Sequence, residues 1–464
     1  MMPVAMPIKS PDSSSDSPPL EVSIFKNRSF MALWWSQVLS QLADRIIFVV
    51  FVTYLTHVYG GDERLTSYLY VAFTIPAILL TAVAGVFVDR WPRRLTLVVI
   101  NVLRSVLVFS LPWMAHAGIA YLYTLAFLLS AVTQFFVPAE SATIPTIVSK
   151  DQLLSANSLF TTTMMASVIV GFALGDPLIE VMGLAEVHWA LSLLFILAAV
   201  ALFDLRLDRN MALTERVDPT KPRYFGDSLR RFSSELKEGF TYIRTHTTVW
   251  HAMAKLALLF SAVVALCILS ITFAKTFLYT DPTLAARKFS YIVASAGVGM
   301  ALGAIGVSQG LKQVPAPFIV YGGMLLLSMG LAAMVLVPQV FPDLASLGVS
   351  VSLSKRLPPL VLTDRMIWTY VANLMMGLGA AGVAIPLQAF LHDCIPEAIR
   401  GKVLGVQFTL LSTSSTLPAL IAGLSAHFLG VQMMMSLLAL PFLAWGGYGL
   451  YLIIFKKMRS FHPL

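Results

Sequence analysis

The stretch Gly85-Val86-Phe87-Val88-Asp89-Arg90-Trp91-Pro92-Arg93-Arg94 decides how this chain must fold. It packs an acid and three arginines into six residues, between apolar runs at about 65–88 and 95–116. Charges that dense survive beside hydrocarbon only where a chain leaves a bilayer. The stretch therefore reads as a short loop at a membrane face, joining two spanning helices.

The rest of the chain repeats that pattern. Of its 464 residues 57% are hydrophobic and 12% charged, with a mean hydropathy of +0.79. A soluble domain carries about 25% charged residues, so a soluble fold is excluded. Apolar runs long enough to cross a bilayer number twelve, near 31–57, 65–88, 95–116, 119–145, 152–181, 184–205, 249–278, 287–309, 316–338, 365–392, 400–428 and 432–455. Several exceed what a hydrocarbon core of about 30 Å needs, so tilt or protrusion is expected. The predicted fold is all-α and integral to the membrane.

Most of the 32 Lys and Arg fall on one face: the N-terminal side, the 90–94 loop, Lys150, the 206–255 region, Lys312, Arg400, Lys402 and the tail around Lys456. The positive-inside rule makes that face cytoplasmic, with both termini there, as expected for a multi-pass protein of the cell membrane. This asymmetry accounts for the net charge of +8, and no nucleic-acid partner is needed. Residues 1–24, rich in Ser, Pro and Asp, read as a disordered tail. A polar stretch at 206–246 divides the spans into six and six, giving halves at 25–205 and 247–459. Its run Leu229–Ile243 reads equally as a surface amphipathic helix or a solvated linker. A second polar insert, 341–364, falls on the other face. The pairs Val137-Pro138 with Ile385-Pro386, and Ile144-Pro145 with Ile395-Pro396, stand at matching places in the two halves and support parallel repeats. Cys267 and Cys394 lie on different spans, and no disulfide is expected.

Three sites stand out. On the first span, Trp34, Gln37, Gln41, Asp44, Arg45 and Phe48 follow steps of three and four and share a helix face. Asp44 lies near the bilayer midplane, where an ionised side chain costs at least about 2.5–3.5 kcal/mol and needs a partner or water. It is read either as a group that takes up and releases a proton or as a structural counter-charge to Arg45. Near the end of the fifth span stands Gly171-x3-Gly175-Asp176-Pro177, and the eighth carries Gly299 and Gly303. Small residues at this spacing let helices approach closely. These glycines are expected to form a sliding contact between spans five and eight, the alternative being packing within one half. Gln407 on the eleventh span and Asn373 on the tenth are further polar candidates for a substrate site. Glu140, near the end of the fourth span, reads either as a partner of Arg93 or Arg94 or as a merely interfacial residue. There is no P-loop, no HExxH, no metal-ligand cluster and no nucleophile with a base. An enzyme is not expected, nor any cofactor.

The loop pattern Gly85-x3-Asp89-Arg90-x2-Arg93-Arg94 resembles that between helices 2 and 3 of the major facilitator superfamily, with Pro92 where that family has a glycine. The resemblance implies a latch in which Asp89 sits at the start of the eleventh helix, with Gly85, Arg90, Arg93 and Arg94 completing a cytoplasmic gate. Three further strings resemble the macrolide-efflux and enterobactin-exporter branch of drug:proton antiporters: Asn27-Arg28-Ser29-Phe30 through Asp44, Phe136-x-Pro138-Ala139 through Leu159, and Ile395-Pro396-Glu397 through Gly405. The arginine often found on that family's fourth helix is absent. The implied function is a monomeric, proton-coupled exporter of small amphipathic organic molecules, working by alternating access. A lipid or lysophospholipid flippase of the same fold is the alternative within the class, and a non-transporting membrane sensor or scaffold the alternative outside it.

Overall fold

The computed structural model describes residues 24–456, except 61–62, 89–90, 114–116, 150–151, 207–224, 312, 342–348 and 352–359. Also excepted are 397–398, 400–401, 404, 408–409, 412–413, 415–420, 422–424 and 426–427. Residues 1–23 of the expected disordered tail and the pair Asp89-Arg90 therefore lie outside the described residues, as does much of the eleventh span, while Ile24 opens a short turn, Ile24–Lys26.

What is described is almost entirely helical. The helices are α1 (Arg28–Tyr59), α2 (Glu63–Val88), α3 (Arg93–Phe109), α4 (Ile119–Thr133), α5 (Phe136–Ile147), α6 (Leu153–Met182) and α7 (Val187–Ala201). After them come α8 (Phe225–Thr245), α9 (Thr247–Phe273), α10 (Pro282–Ile305), α11 (Ala316–Val340), α12 (Asp364–Cys394) and α13 (Val431–Lys456). A backbone in hydrocarbon must satisfy its own hydrogen bonds, which selects helices for runs this apolar. Among the described residues ten helices are long and apolar enough to cross a membrane, α4 and α5 counting together as one. The second expected span contributes a shorter apolar stretch, Arg64–Leu80. Within the 341–364 insert, two three-residue strands, Val349–Val351 and Leu360–Leu362, pair antiparallel.

Local chemistry sets the helix ends. The Asn27 side chain accepts from the Phe30 amide at the start of α1, and Gly60 closes that helix with φ +73°, which a side chain would resist. The Asp281 side chain caps α10 through the Thr283 amide, with Pro282 in the first turn. α1, at 32 residues, runs about 48 Å at 1.5 Å per residue, and it packs against α6, α7 and α10. α10 in turn packs against α6 and α12, and α11 against α12 and α13. Chain direction then defines two faces: a basic face, where α1 and α3 begin and α13 ends, and an opposite face, where α1 ends and α10 begins. The stretch expected as surface helix or linker forms α8, which packs on α2 and α9 with Ile243 buried. Cys267 and Cys394 are both free thiols.

Candidate functional site

Halfway along α1 the polar residues turn in different directions. Gln37 donates to the carbonyl of Phe160 and the Trp34 indole N–H donates to Thr163 Oγ1, both on α6. Ser36 meets Asn101 of α3 at 3.2 Å. Gln41 is half-buried. Asp44, 27% exposed, turns toward α3, where Arg104 Nη1 stands 3.7 Å from its carboxylate.

Arg104 is 1% exposed and had no place in the sequence-based site. Its Nε and Nη1 make no hydrogen bond. Its charge is met by Asp44, by Glu140 of α5 within electrostatic reach, and by the faces of Phe136 and Phe195 at 4.9 and 5.6 Å. Rings that close to a guanidinium attract it, more strongly when it is desolvated. The signal was present in the sequence: Asn101, Arg104, Ser105 and Val108 recur at helical spacing inside an apolar run, and all are buried. Two expectations are corrected here. Asp44 takes Arg104 as its ion-pair partner, while Arg45, pointing about 100° away on the helix, acts on it only through space. Glu140, buried, faces Arg104, while Arg93 donates to the Ala142 carbonyl and Arg94 to that of Phe203.

Lys255 is the other surprise. Expected among the basic-face residues, it is buried within α9, its ammonium over the rings of Tyr321 and Trp445 at 5.4 and 5.1 Å.

Toward the opposite face, α6 meets α10 through charge. Asp176, buried, accepts from Arg287 Nε at 2.8 Å, from Lys288 Nζ at 2.9 Å and from the Tyr291 hydroxyl at 3.0 Å. Arg287 also pairs with Glu180, one helical turn further along. Pro177 lies inside the same helix. Thr53 of α1 bonds the Ala286 carbonyl at 3.3 Å beside this cluster. Helices from both sides of the 206–246 stretch are thereby tied together at one face.

The glycines do not form the expected sliding contact. A Cβ on Gly171 would lie 2.5 Å from Arg45 Cβ, and one on Gly175 2.9 Å from Val49, both on α1. On α10, Gly299 abuts the Leu374 carbonyl and Gly303 abuts Ala381, both on α12. Each serves close packing with a neighbour on its own side of the 206–246 stretch. Among the described residues, Gly297 meets across, against Ile169 of α6. The polar candidates on later spans are tied locally as well. Asn373, buried, donates to the Thr369 carbonyl and toward the Met334 sulfur. Gln407 donates to Gln388 Oε1 at 3.2 Å, leaving its own buried Oε1 unpaired. Gly85 lies in α2 and Arg93 and Arg94 open α3, but the latch itself turns on Asp89, outside the described residues.

At the basic face, Lys402 binds Glu238 of α8 at 2.5 Å, and Gly239 lets the Lys402 backbone approach. The Lys402 hydrogen bond holds the Glu238 carboxyl below the usual range.

The Major Facilitator Superfamily model matches residues 33–355. Among curated proteins, the uncharacterized MFS-type transporter YfiS of Bacillus subtilis is 23% identical over 426 residues, covering 89% of this chain and 91% of that protein. The multidrug efflux pump Tap of Mycolicibacterium fortuitum is 23% identical over 425 residues, with 88% and 91% covered. Two solved structures share the fold. The nucleoside transporter NupG superimposes with a TM-score of 0.66 at 10% identity, covering 92% of this chain and 99% of that one. A bacterial homologue of the iron transporter ferroportin, in its inward-facing state, gives 0.63 at 15%, covering 90% and 98%.

Proposed function

The chain belongs to the Major Facilitator Superfamily, and from that premise we propose a proton-coupled exporter of small amphipathic organic molecules in a cell membrane. Two six-helix halves, 25–205 and 247–459, rock about a central site, with the basic face cytoplasmic. The similarity to an efflux pump over most of both chains supports export, and the three strings quoted above support the macrolide-efflux and enterobactin-exporter branch. The ion cluster of Asp176, Glu180, Arg287, Lys288 and Tyr291 then closes the outer face. Asp89, Arg90, Arg93 and Arg94 act in the inner gate.

One observation carries the coupling: Asp44, midway along α1 and still 27% exposed, faces a fully buried arginine at 3.7 Å. That distance is beyond hydrogen-bond length, so the carboxylate is attracted but not locked. When Asp44 takes up a proton, Arg104 loses one of its two counter-charges and leans on Glu140. Proton gain and loss at Asp44 thus move charge between α1, α3 and α5. That is the kind of differential interaction by which a bound proton shifts a conformational equilibrium.

The test is Asp44→Asn in proteoliposomes, using a compound found by thermal-shift screening. Binding and counterflow should persist, because the amide keeps shape and polarity, while transport driven by a pH gradient should vanish. If Asp44 only balances Arg104, the double variant Asp44→Asn/Arg104→Gln will restore both expression and gradient-driven transport. That result would reject the coupling role.

A further inference from the structure

Arg45 is a cation midway through the membrane with no ion pair of its own, reached by Asp44 only through space. Its guanidinium makes no ion pair or hydrogen bond among the described residues, and its Nε is fully buried and unpaired. The neighbouring acid turns to Arg104 instead. A charge at this depth costs at least about 2.5–3.5 kcal/mol unless it faces water or a ligand. The fold nevertheless makes room for it: α6 places Gly171 where the Arg45 stem passes, and a Cβ there would come within 2.5 Å of it.

The surroundings of Arg45 draw on both sides of the chain. Asp44, one residue back, lies within its electrostatic reach, as do Tyr70 of α2 and Cys267 of α9. One turn further toward the opposite face, Phe48 sits among rings: Tyr70 at 6.4 Å, Phe73 at 5.8 Å, Phe172 at 6.3 Å and Phe289 of α10 at 6.4 Å. Phe172 and Phe289 touch each other as well, at 6.4 Å. Arg45 and Phe48, three residues apart, share a helix face. A fixed cation therefore lies beneath an aromatic ceiling, at a place where helices of both proposed halves meet.

We propose that Arg45 is the anion-recognising group of the central site, and that this site takes amphipathic organic anions bearing an aromatic body. The acid group of such a molecule supplies the hydrogen-bonded carboxylate that Asp44, turned to Arg104, does not, through the paired N–H donors of a guanidinium. Its ring meets Phe48, Tyr70 and Phe172, where stacking adds affinity with little demand on shape. This deepens the exporter reading and rests on it, since it names the class of molecule that the same central site would hold.

The test is a binding equilibrium, which needs no gradient. Full-length protein in phosphatidylcholine nanodiscs is titrated with dansylglycine, an aromatic carboxylate, and with dansylglycinamide, its neutral analogue of nearly equal size. The wild type should prefer the carboxylate by about tenfold or more, the worth of one charge-assisted bond. Arg45→Gln should bring the two affinities within about twofold by removing that bond, and Arg45→Lys should keep part of the preference. Size-exclusion profiles report whether each variant is folded, and Arg45→Lys carries the test should Arg45→Gln fail. Equal affinities in the wild type, a preference that survives in Arg45→Gln, or no binding of either probe would each overturn the proposal. A parallel titration in nanodiscs containing phosphatidylglycerol identifies the anion's source. If the anionic lipid abolishes dansylglycine binding, a lipid phosphate fills the site and the small-molecule claim is overturned. Should the preference hold while Asp44→Asn still transports on a pH gradient, only the coupling reading falls.

Discussion

Replacing Asp176 by asparagine should open the opposite face without unfolding the protein. Asp176 accepts from Arg287, Lys288 and Tyr291 with its side chain 3% exposed, so it holds α6 to α10 through three bonds from one carboxylate. Breaking a buried ion pair by removing one partner costs about 3–5 kcal/mol. Two features pull that figure down. Arg287 keeps Glu180, and the Arg287 and Lys288 side chains, 17% and 19% exposed, are partly screened by water. About 2 kcal/mol remains, and it counts only in the closed state, because on opening all these groups become hydrated. The closed-to-open ratio should then fall roughly 30-fold. Thr53→Cys reports it, in a background with Cys267 and Cys394 changed to alanine. Thr53 is buried between the Val49 and Ala286 carbonyls and becomes reachable only when α1 and α10 part. A membrane-impermeant maleimide added at the opposite face should label the Asp176→Asn protein much faster than its parent. Equal labelling rates would refute the assignment of the cluster as a closing contact.

Other outcomes follow from the same packing. Gly299→Ala would drive a Cβ into the Leu374 carbonyl, and Gly377→Ala one into that of Ala296. Each should cost at least about 1–3 kcal/mol through overpacking and lower the thermal midpoint of the purified protein. Gly175→Leu and Gly303→Leu should likewise reduce folded yield, since their neighbours are α1 and α12; normal yield with blocked transport would instead favour a sliding contact. Arg104→Gln should destabilise by about 3–5 kcal/mol, because Asp44 and Glu140 lose a shared cation, and thermal unfolding should show Asp44→Asn/Arg104→Gln to be the more stable of the two. The Glu238 carboxyl, held low by Lys402, keeps that contact above the ordinary carboxylate value of 4.5 and loses it as pH falls through its lower folded value. A bimane label at Thr241→Cys should thus hold its emission from about pH 5.5 to 8 and change only in stronger acid. A transition near neutrality would contradict this.

Much of this protein was legible in its sequence because a bilayer is a simple solvent. Hydrocarbon tolerates only helices, so apolar runs mark the spans, and a loop such as 89–94 can lie only at a face. For the same reason the polar face of the first span and the dense glycines of the fifth and eighth were visible as departures from an apolar background. Helical spacing shows that Gln37, Asp44 and Arg45 point inward, but it cannot say at which neighbour. Only the tertiary arrangement turns Asp44 to Arg104, sends Gln37 to Phe160, and leaves Arg45 unpaired under Phe48. Lys255 shows the same limit from the other side. Eight residues into α9 it reads as a residue of the basic face, yet Tyr321 and Trp445, from α11 and α13, enclose it. Sequence alone determined which residues had to leave the lipid. Which partners met them was decided by packing between helices distant in the chain, since a buried charge takes its partner from whatever stands a few ångströms away in space.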